Sequence, residues 1–179
     1  LICGGDGQLG SDCAQVLQRQ HEVFALTLNE LDITNSSDVD KVLGDYVPDV
    51  ILNCAAYTNV DSCETEREPA WKVNAEGPRN LASWVAKYGG QLIHISSDYV
   101  FDGRKKPPEG YVEEDEPGPL CYYGETKLEG ELAVMQTTDQ HIILRTAWLY
   151  GIHGRNFLKT ILRTALKNPD KKLKVVNDQ

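Results

Sequence analysis

The stretch GGDGQLG, residues 4–10, follows the apolar run Leu1, Ile2 and Cys3 and leads into residues of helical period. Its glycines Gly4, Gly7 and Gly10 stand three apart. After a strand, such spacing lets the backbone lie against a pyrophosphate while the first N–H groups of the next helix face the anion. A plain strand-to-helix turn would use the same residues, so the weight of the pattern comes from the chain around it.

That chain alternates. Short apolar, β-branched runs occur at 1–3, 23–26, 50–53, 92–96, 142–145 and 173–176, and stretches of helical period lie at 9–19, 37–46, 69–87, 122–135 and 156–167. Alternation of this kind predicts βαβ units and an α/β fold, a Rossmann-type doubly wound parallel sheet with helices on both faces. Ligands of such sheets bind beyond the carboxyl ends of the strands, so the residues just after each strand carry the functional information.

A chain of 179 residues is one domain by size, and 41% hydrophobic with 25% charged residues is ordinary globular stock. We expect a single NAD(P)-binding domain over 1–179, cut at both ends: it opens on LIC without methionine and closes on LKVVNDQ, a strand with nothing after it. Later substrate-binding segments are expected to be absent. No run is apolar enough to span a bilayer. The net charge of −9 argues against nucleic acid as a partner. Cys3, Cys13, Cys54, Cys63 and Cys121 fit no zinc spacing and read as reduced thiols of a cytoplasmic protein, and the scattered His21, His141 and His153 suggest no metal.

The strand ends are read in turn. After the second run comes ALTLNELD, with neither an Arg nor a carboxylate directly after the strand and Glu30 a few residues late. Coenzyme choice stays open between NADH and NADPH. Asp32 is placed to reach an adenine or to cap the helix starting near Ser36. After the third run, Ala55 and Ala56 would let the backbone approach a ribose or phosphate, with Tyr57 and Thr58 at the mouth. Ser96 and Ser97 end the run at 92–96, where a hydroxyl can bind a substrate carbonyl, although such serines also bond nearby turns. His94 reads as a buried, satisfied core residue.

In CYYGETKLEGE, residues 121–131, Tyr123 and Lys127 stand one helical turn apart. A phenol with an ordinary pKa of about 10 is a poor acid at neutral pH, and a neighbouring ammonium favours its ionised form. With a serine hydroxyl opposite, a carbonyl oxygen would lie between two donors while a nicotinamide delivers hydride.

With these blocks on the page, the chain resembles the dTDP-4-dehydrorhamnose reductase family of the extended short-chain dehydrogenase/reductases. GGDGQLG, LDIT, NCAAYTNVDSCE, VNAEGPRNLA, SSDYVFDG, YYGETKLEGE, RTAWLYG and NFLKTIL carry the resemblance in order. It implies reduction by NADPH or NADH of the 4-keto group of a 6-deoxy sugar on thymidine diphosphate. It implies Tyr123 as general acid, Lys127 lowering its pKa and holding the nicotinamide ribose, and Ser97 completing the catalytic set. Dinucleotide contacts are implied at Gly4, Gly7, Gln8, Leu9, Asp32, Ile33, Ala55, Ala56, Tyr57, Asn74, Ser96, Tyr123 and Lys127. Contacts to the sugar nucleotide are implied at Ser97, Tyr99, Val100, Trp148 and Asn156, with a core role as the alternative for Trp148 and a structural helix role for Asn74. Cys121 stands where the family commonly has Asn. The partners expected are the nucleotide sugar and, left open, a second copy of the chain. Two other readings stay open: a non-catalytic dinucleotide-binding subunit like that of methionine adenosyltransferase, and a nucleotide-sugar epimerase or dehydratase, for which Asp98 stands beside the strand-end hydroxyls.

Overall fold

The computed structural model describes residues 1–106, 108–167 and 172. Five parallel strands form one sheet: β1 (Ile2–Cys3), β2 (Ala25–Leu26), β3 (Val50–Asn53), β4 (Gln91–Ser97) and β5 (His141–Thr146), in the order β2-β1-β3-β4-β5. The expected sixth strand at 173–176 lies outside the described residues. Strand order reverses direction between β1 and β3, and the crevice beyond their carboxyl ends is where such sheets receive ligands. The Rossmann-type architecture expected from the alternation is the one observed.

The helices are α1 (Gln8–Leu17), α2 (Ser36–Tyr46), α3 (Val60–Cys63), α4 (Arg67–Trp71), α5 (Gly77–Tyr88), α6 (Tyr122–Thr137) and α7 (Phe157–Lys167). The core forms where β1, β3 and β4 turn Cys3, Ile51 and Leu92 toward Val39 and Leu43 of α2, Leu81 and Val85 of α5 and Val134 of α6. Burial of these apolar side chains is the main term holding helices to sheet. On α7, by contrast, Leu158, Leu162 and Leu166 are all exposed.

Three local features depart from the sequence reading. The helix expected at 69–87 runs from Arg67 to Tyr88, with a π turn at Lys72–Glu76 joining α4 to α5. Pro78 sits just beyond that turn and has no N–H to give the carbonyl of residue 74, so the α ladder is interrupted there by composition. Helix α3 is four residues long, too short to show a period. The helix-capping alternative for Asp32 gives way to Asn35, whose side chain accepts from Ser37 N at 3.0 Å and Asp38 N at 3.3 Å. Asp32 instead closes a turn on Thr34, accepting from its N–H at 2.9 Å and its hydroxyl at 2.8 Å.

Candidate active site

A cleft of about 320 Å³ opens at the reversal between β1 and β3. Among the expected dinucleotide contacts, Gly4, Gly7, Asp32, Ile33, Ala55, Ala56 and Tyr57 line it together. Asp6, Leu28, Leu31, Thr34, Cys54 and Val73 line it as well. The glycines divide the work. Gly4 has φ +73°, and a Cβ there would stand 2.9 Å from Ala55 Cα. A Cβ on Gly10 would come within 2.2 Å of the Gly4 carbonyl oxygen, so α1 lies directly on the loop. One on Gly7 would meet only that oxygen, at 3.2 Å, and otherwise face the cleft. Gly7 is also the N-cap of α1 and supplies no side-chain cap, which leaves the first helical N–H groups turned to the cleft. The fit to a pyrophosphate rests on that cradle.

Gln8 opens α1, but its amide reaches away, donating to Leu149 O at 3.0 Å and accepting from Asn156 Nδ2 at 3.1 Å. Past β2, the Glu30 carboxylate folds back to accept both the N–H and the hydroxyl of Thr27, each at 2.9 Å. Those two bonds hold its pKa below the ordinary carboxylate value. Glu30 is thus folded back onto Thr27 beside the exposed Leu28, and it does not line the cleft.

Beyond β4 and at the start of α6, Ser97, Tyr123 and Lys127 come together. The Ser97 hydroxyl donates to Asp98 Oδ1 at 3.1 Å and accepts from Tyr99 N at 3.2 Å. Burial pushes the Tyr123 phenol up to about 12, with Cys63, Asp98 and Tyr99 adding to the rise and the neighbouring Ser97 hydroxyl working against it. This reverses the direction expected for Tyr123 in the resting chain. The reason is geometric: Lys127, only 2% exposed, donates to Ile95 O at 2.7 Å on β4. Burial lowers Lys127 to about 8, against Glu131 and Cys54, which raise it.

The remaining expected residues divide. Tyr99 is exposed and meets Tyr123 edge-on, ring centroids 5.4 Å apart. Trp148 is also exposed, at φ 52°, stacked on Tyr150 and edge-on to Phe157, so the core alternative for it falls away. Val100 is 0% exposed, because the 3₁₀ turn at Asp98–Val100 rolls its side chain inward, so that side chain does not face the cleft. Ser96 is buried, and its hydroxyl has no partner and no opening to the cleft. Asn156 caps α7 by accepting from Lys159 N at 3.0 Å. Leu9 lies within α1, half-buried. His94 is buried and neutral but only half satisfied: Nδ1 pairs with Asn53 Nδ2 at 3.1 Å, and Nε2 has no partner.

Asn74 takes the structural role. It is fully buried in the π turn, accepts from Tyr57 N at 2.8 Å, and donates to Tyr57 O at 3.0 Å and Thr126 Oγ1 at 3.1 Å. It shapes the cleft by fixing Tyr57. One further residue escaped the sequence reading. Glu64 accepts from Tyr122 N at 2.8 Å and so caps α6 from 58 residues away, a carboxylate at the positive end of the helix that carries Tyr123. Periodicity carries no signal for that contact. Asp98, which the sequence set beside the strand-end hydroxyls, accepts from the Ser97 hydroxyl.

Among the described residues no group of three or more His, Cys, Asp or Glu could hold a metal, and no helix is long and apolar enough to cross a membrane. Comparison with known proteins gives consistent results. A dTDP-4-dehydrorhamnose reductase of Aggregatibacter actinomycetemcomitans is 45% identical over the whole chain, which covers 60% of that protein. The crystal structure of a dTDP-4-dehydrorhamnose reductase from Clostridium acetobutylicum superposes with TM-score 0.89 at 44% identity, over 93% of this chain and 59% of that one. The reductase from Bacillus anthracis in complex with NADP matches with TM-score 0.89 at 41% identity, over 93% of this chain and 59% of that one. The chain therefore spans about 60% of the length of the curated relatives it matches. With the family described as the RmlD substrate binding domain matching residues 1–179, the chain belongs to the dTDP-4-dehydrorhamnose reductase family.

Proposed function

We propose that this chain is the dinucleotide-binding portion of an NAD(P)H-dependent reductase that converts dTDP-4-dehydro-6-deoxy-L-mannose to dTDP-L-rhamnose. The observation that carries the reading is the meeting of Ser97, Tyr123 and Lys127 at the carboxyl edge of β4, next to a cleft built like a dinucleotide cradle. A bound nicotinamide supplies the hydride for the carbonyl carbon. The Gly4–Gly10 loop and the open end of α1 hold the pyrophosphate, and Ala55 and Ala56 allow close approach of the backbone. Ser97 holds the 4-keto oxygen, and Tyr123 gives that oxygen its proton. A phenol pushed up to about 12 stays protonated at neutral pH and is a competent donor to a developing alkoxide. Lys127, charged and buried, is set to hold the nicotinamide ribose. Tyr99 and Trp148, both exposed beyond β4 and β5, offer aromatic faces to the sugar nucleotide.

The five free cysteines support reduced, cytoplasmic surroundings; a second copy of the chain is the protein partner this reading leaves to sedimentation. Incubating the full-length protein with the 4-keto sugar nucleotide and NADPH or NADH tests the function. Oxidation of the coenzyme with formation of the 6-deoxy-L-sugar is the expected result. Dinucleotide binding without turnover would point to the subunit reading, and conversion without net coenzyme oxidation to an epimerase or dehydratase.

A further inference from the structure

Tyr123, Lys127 and Glu131 succeed one another at single turns of α6, and all three are buried. Glu131 is 1% exposed and held by Arg145 of β5 through both oxygens: Nε donates at 3.0 and 3.2 Å and a terminal nitrogen at 2.7 Å. Arg145 in turn lies 4.8 Å over the ring of Phe101, with Glu113 near it. A buried ion pair of this kind is poor evidence for stability, since apolar residues of like volume often serve as well. What it does have is a neighbour that needs an anion. Lys127 carries a charge in a dry site, and of its three N–H groups one is used, on Ile95 O.

The titratable groups acting on Lys127 are Glu131 on its own helix, Cys54 beyond β3 and His94 on β4. Burial keeps the Cys54 thiol at about 12 and His94 neutral, and from α3 and the 3₁₀ turn Cys63 and Asp98 act on Tyr123. Glu131 is the anion of the set. We propose that Glu131, pinned by Arg145, is a positioning residue that holds the buried Lys127 in its ammonium form and so keeps it able to bind the dinucleotide ribose. The inference rests on the role given to Lys127 above.

The test is the pH dependence of NADH affinity, read by calorimetry from pH 6 to 9 on full-length protein. Affinity is expected to fall as Lys127 loses its proton. Glu131→Gln keeps the shape and one of the two acceptors toward Arg145 but removes the charge, and should move that midpoint down by about one pH unit, a tenfold change in the protonation equilibrium. Glu131→Asp, which withdraws the charge by one methylene, should move it part of the way. An unmoved midpoint in Glu131→Gln, or an affinity lowered equally at every pH, overturns the proposal. Should Glu131→Gln fail to fold, Glu131→Asp decides alone by the same criterion. Failure of the reductase reading shows elsewhere, as wild-type protein that binds NADH and leaves the sugar nucleotide unreduced.

Discussion

Replacing Lys127 by Met should change how the stability of the domain depends on pH. Lys127 sits at about 8 in the folded chain against an ordinary 10.5, with burial as the largest cause. Below pH 8 the lysine is charged in both folded and unfolded states, and the folded state bears the full cost of burying it. That cost corresponds to about 2.5 pH units, the difference between 10.5 and about 8, or roughly 3 kcal/mol. Between pH 8 and 10.5 the folded chain gives up the proton first, the cost shrinks, and above 10.5 it is gone. Met carries no charge at any pH, but it leaves the Ile95 carbonyl without its donor, a loss of about 1–3 kcal/mol that does not vary with pH. At pH 7 the variant should therefore match or exceed wild type, and near pH 10.5 it should fall below it. The Tm difference should swing by about 6–12 °C across that window, at about 2–4 °C per kcal/mol for a domain of this size. Tyr123, with its phenol buried and pushed up to about 12 in the folded chain, is common to both proteins and cancels in the comparison. Thermal melts of the pair at half-unit steps from pH 6.5 to 10.5 measure it. A Tm difference that is constant with pH would refute the burial account of Lys127.

Tyr123→Phe should keep dinucleotide affinity and lose about 10²–10⁴-fold in kcat, as single-turnover reduction would show; near wild-type turnover would move the acid elsewhere. Gly10→Ala and Gly7→Val should fail in different ways. A methyl on Gly10 strikes the Gly4 carbonyl at 2.2 Å and should cost about 1–3 kcal/mol, less a gain of about 1 kcal/mol in helix propensity, visible as a lower Tm. Gly7→Val should melt like wild type and lose dinucleotide binding by calorimetry, because its side chain enters the cleft. NADH and NADPH should give kcat/KM values within about tenfold of each other, or about 1.4 kcal/mol. Leu28→Arg, at an exposed position on the cleft, should tilt the ratio toward NADPH by placing a guanidinium for a 2′-phosphate. A several-hundredfold wild-type preference would show that another residue reads the ribose.

Local patterning made the sheet and the cradle legible. Val50–Asn53 and Gln91–Ser97 are apolar runs bounded by turn residues, and Gly4 and Gly10 hold positions where backbone passes too close for a side chain. The Tyr123–Lys127 spacing was equally visible, since one helical turn is a property of sequence. What lay out of reach depends on distant pairs. Glu64 capping α6, Asn74 bracketing Tyr57 and Arg145 gripping Glu131 join segments whose proximity only the folded sheet creates. Val100, set against the sugar nucleotide by the resemblance alone, has its side chain buried at a 3₁₀ turn that no periodicity announces. The direction for Tyr123 was missed for a similar reason: sequence shows a cation one turn away but neither how dry the phenol is nor that a strand carbonyl holds the lysine.

The π turn at Lys72–Glu76 makes this helix sensitive to length rather than to composition. Removing one codon from that segment would let it relax to plain α geometry, turning everything on one side by about 100° and drawing it about 1.5 Å along the axis. Asn74 would swing off Tyr57 and Thr126, while Leu81 and Val85 stayed anchored in the core under the sheet. Single-residue deletions between Arg67 and Tyr88 should thus be far less tolerated than exchanges at the exposed Lys72.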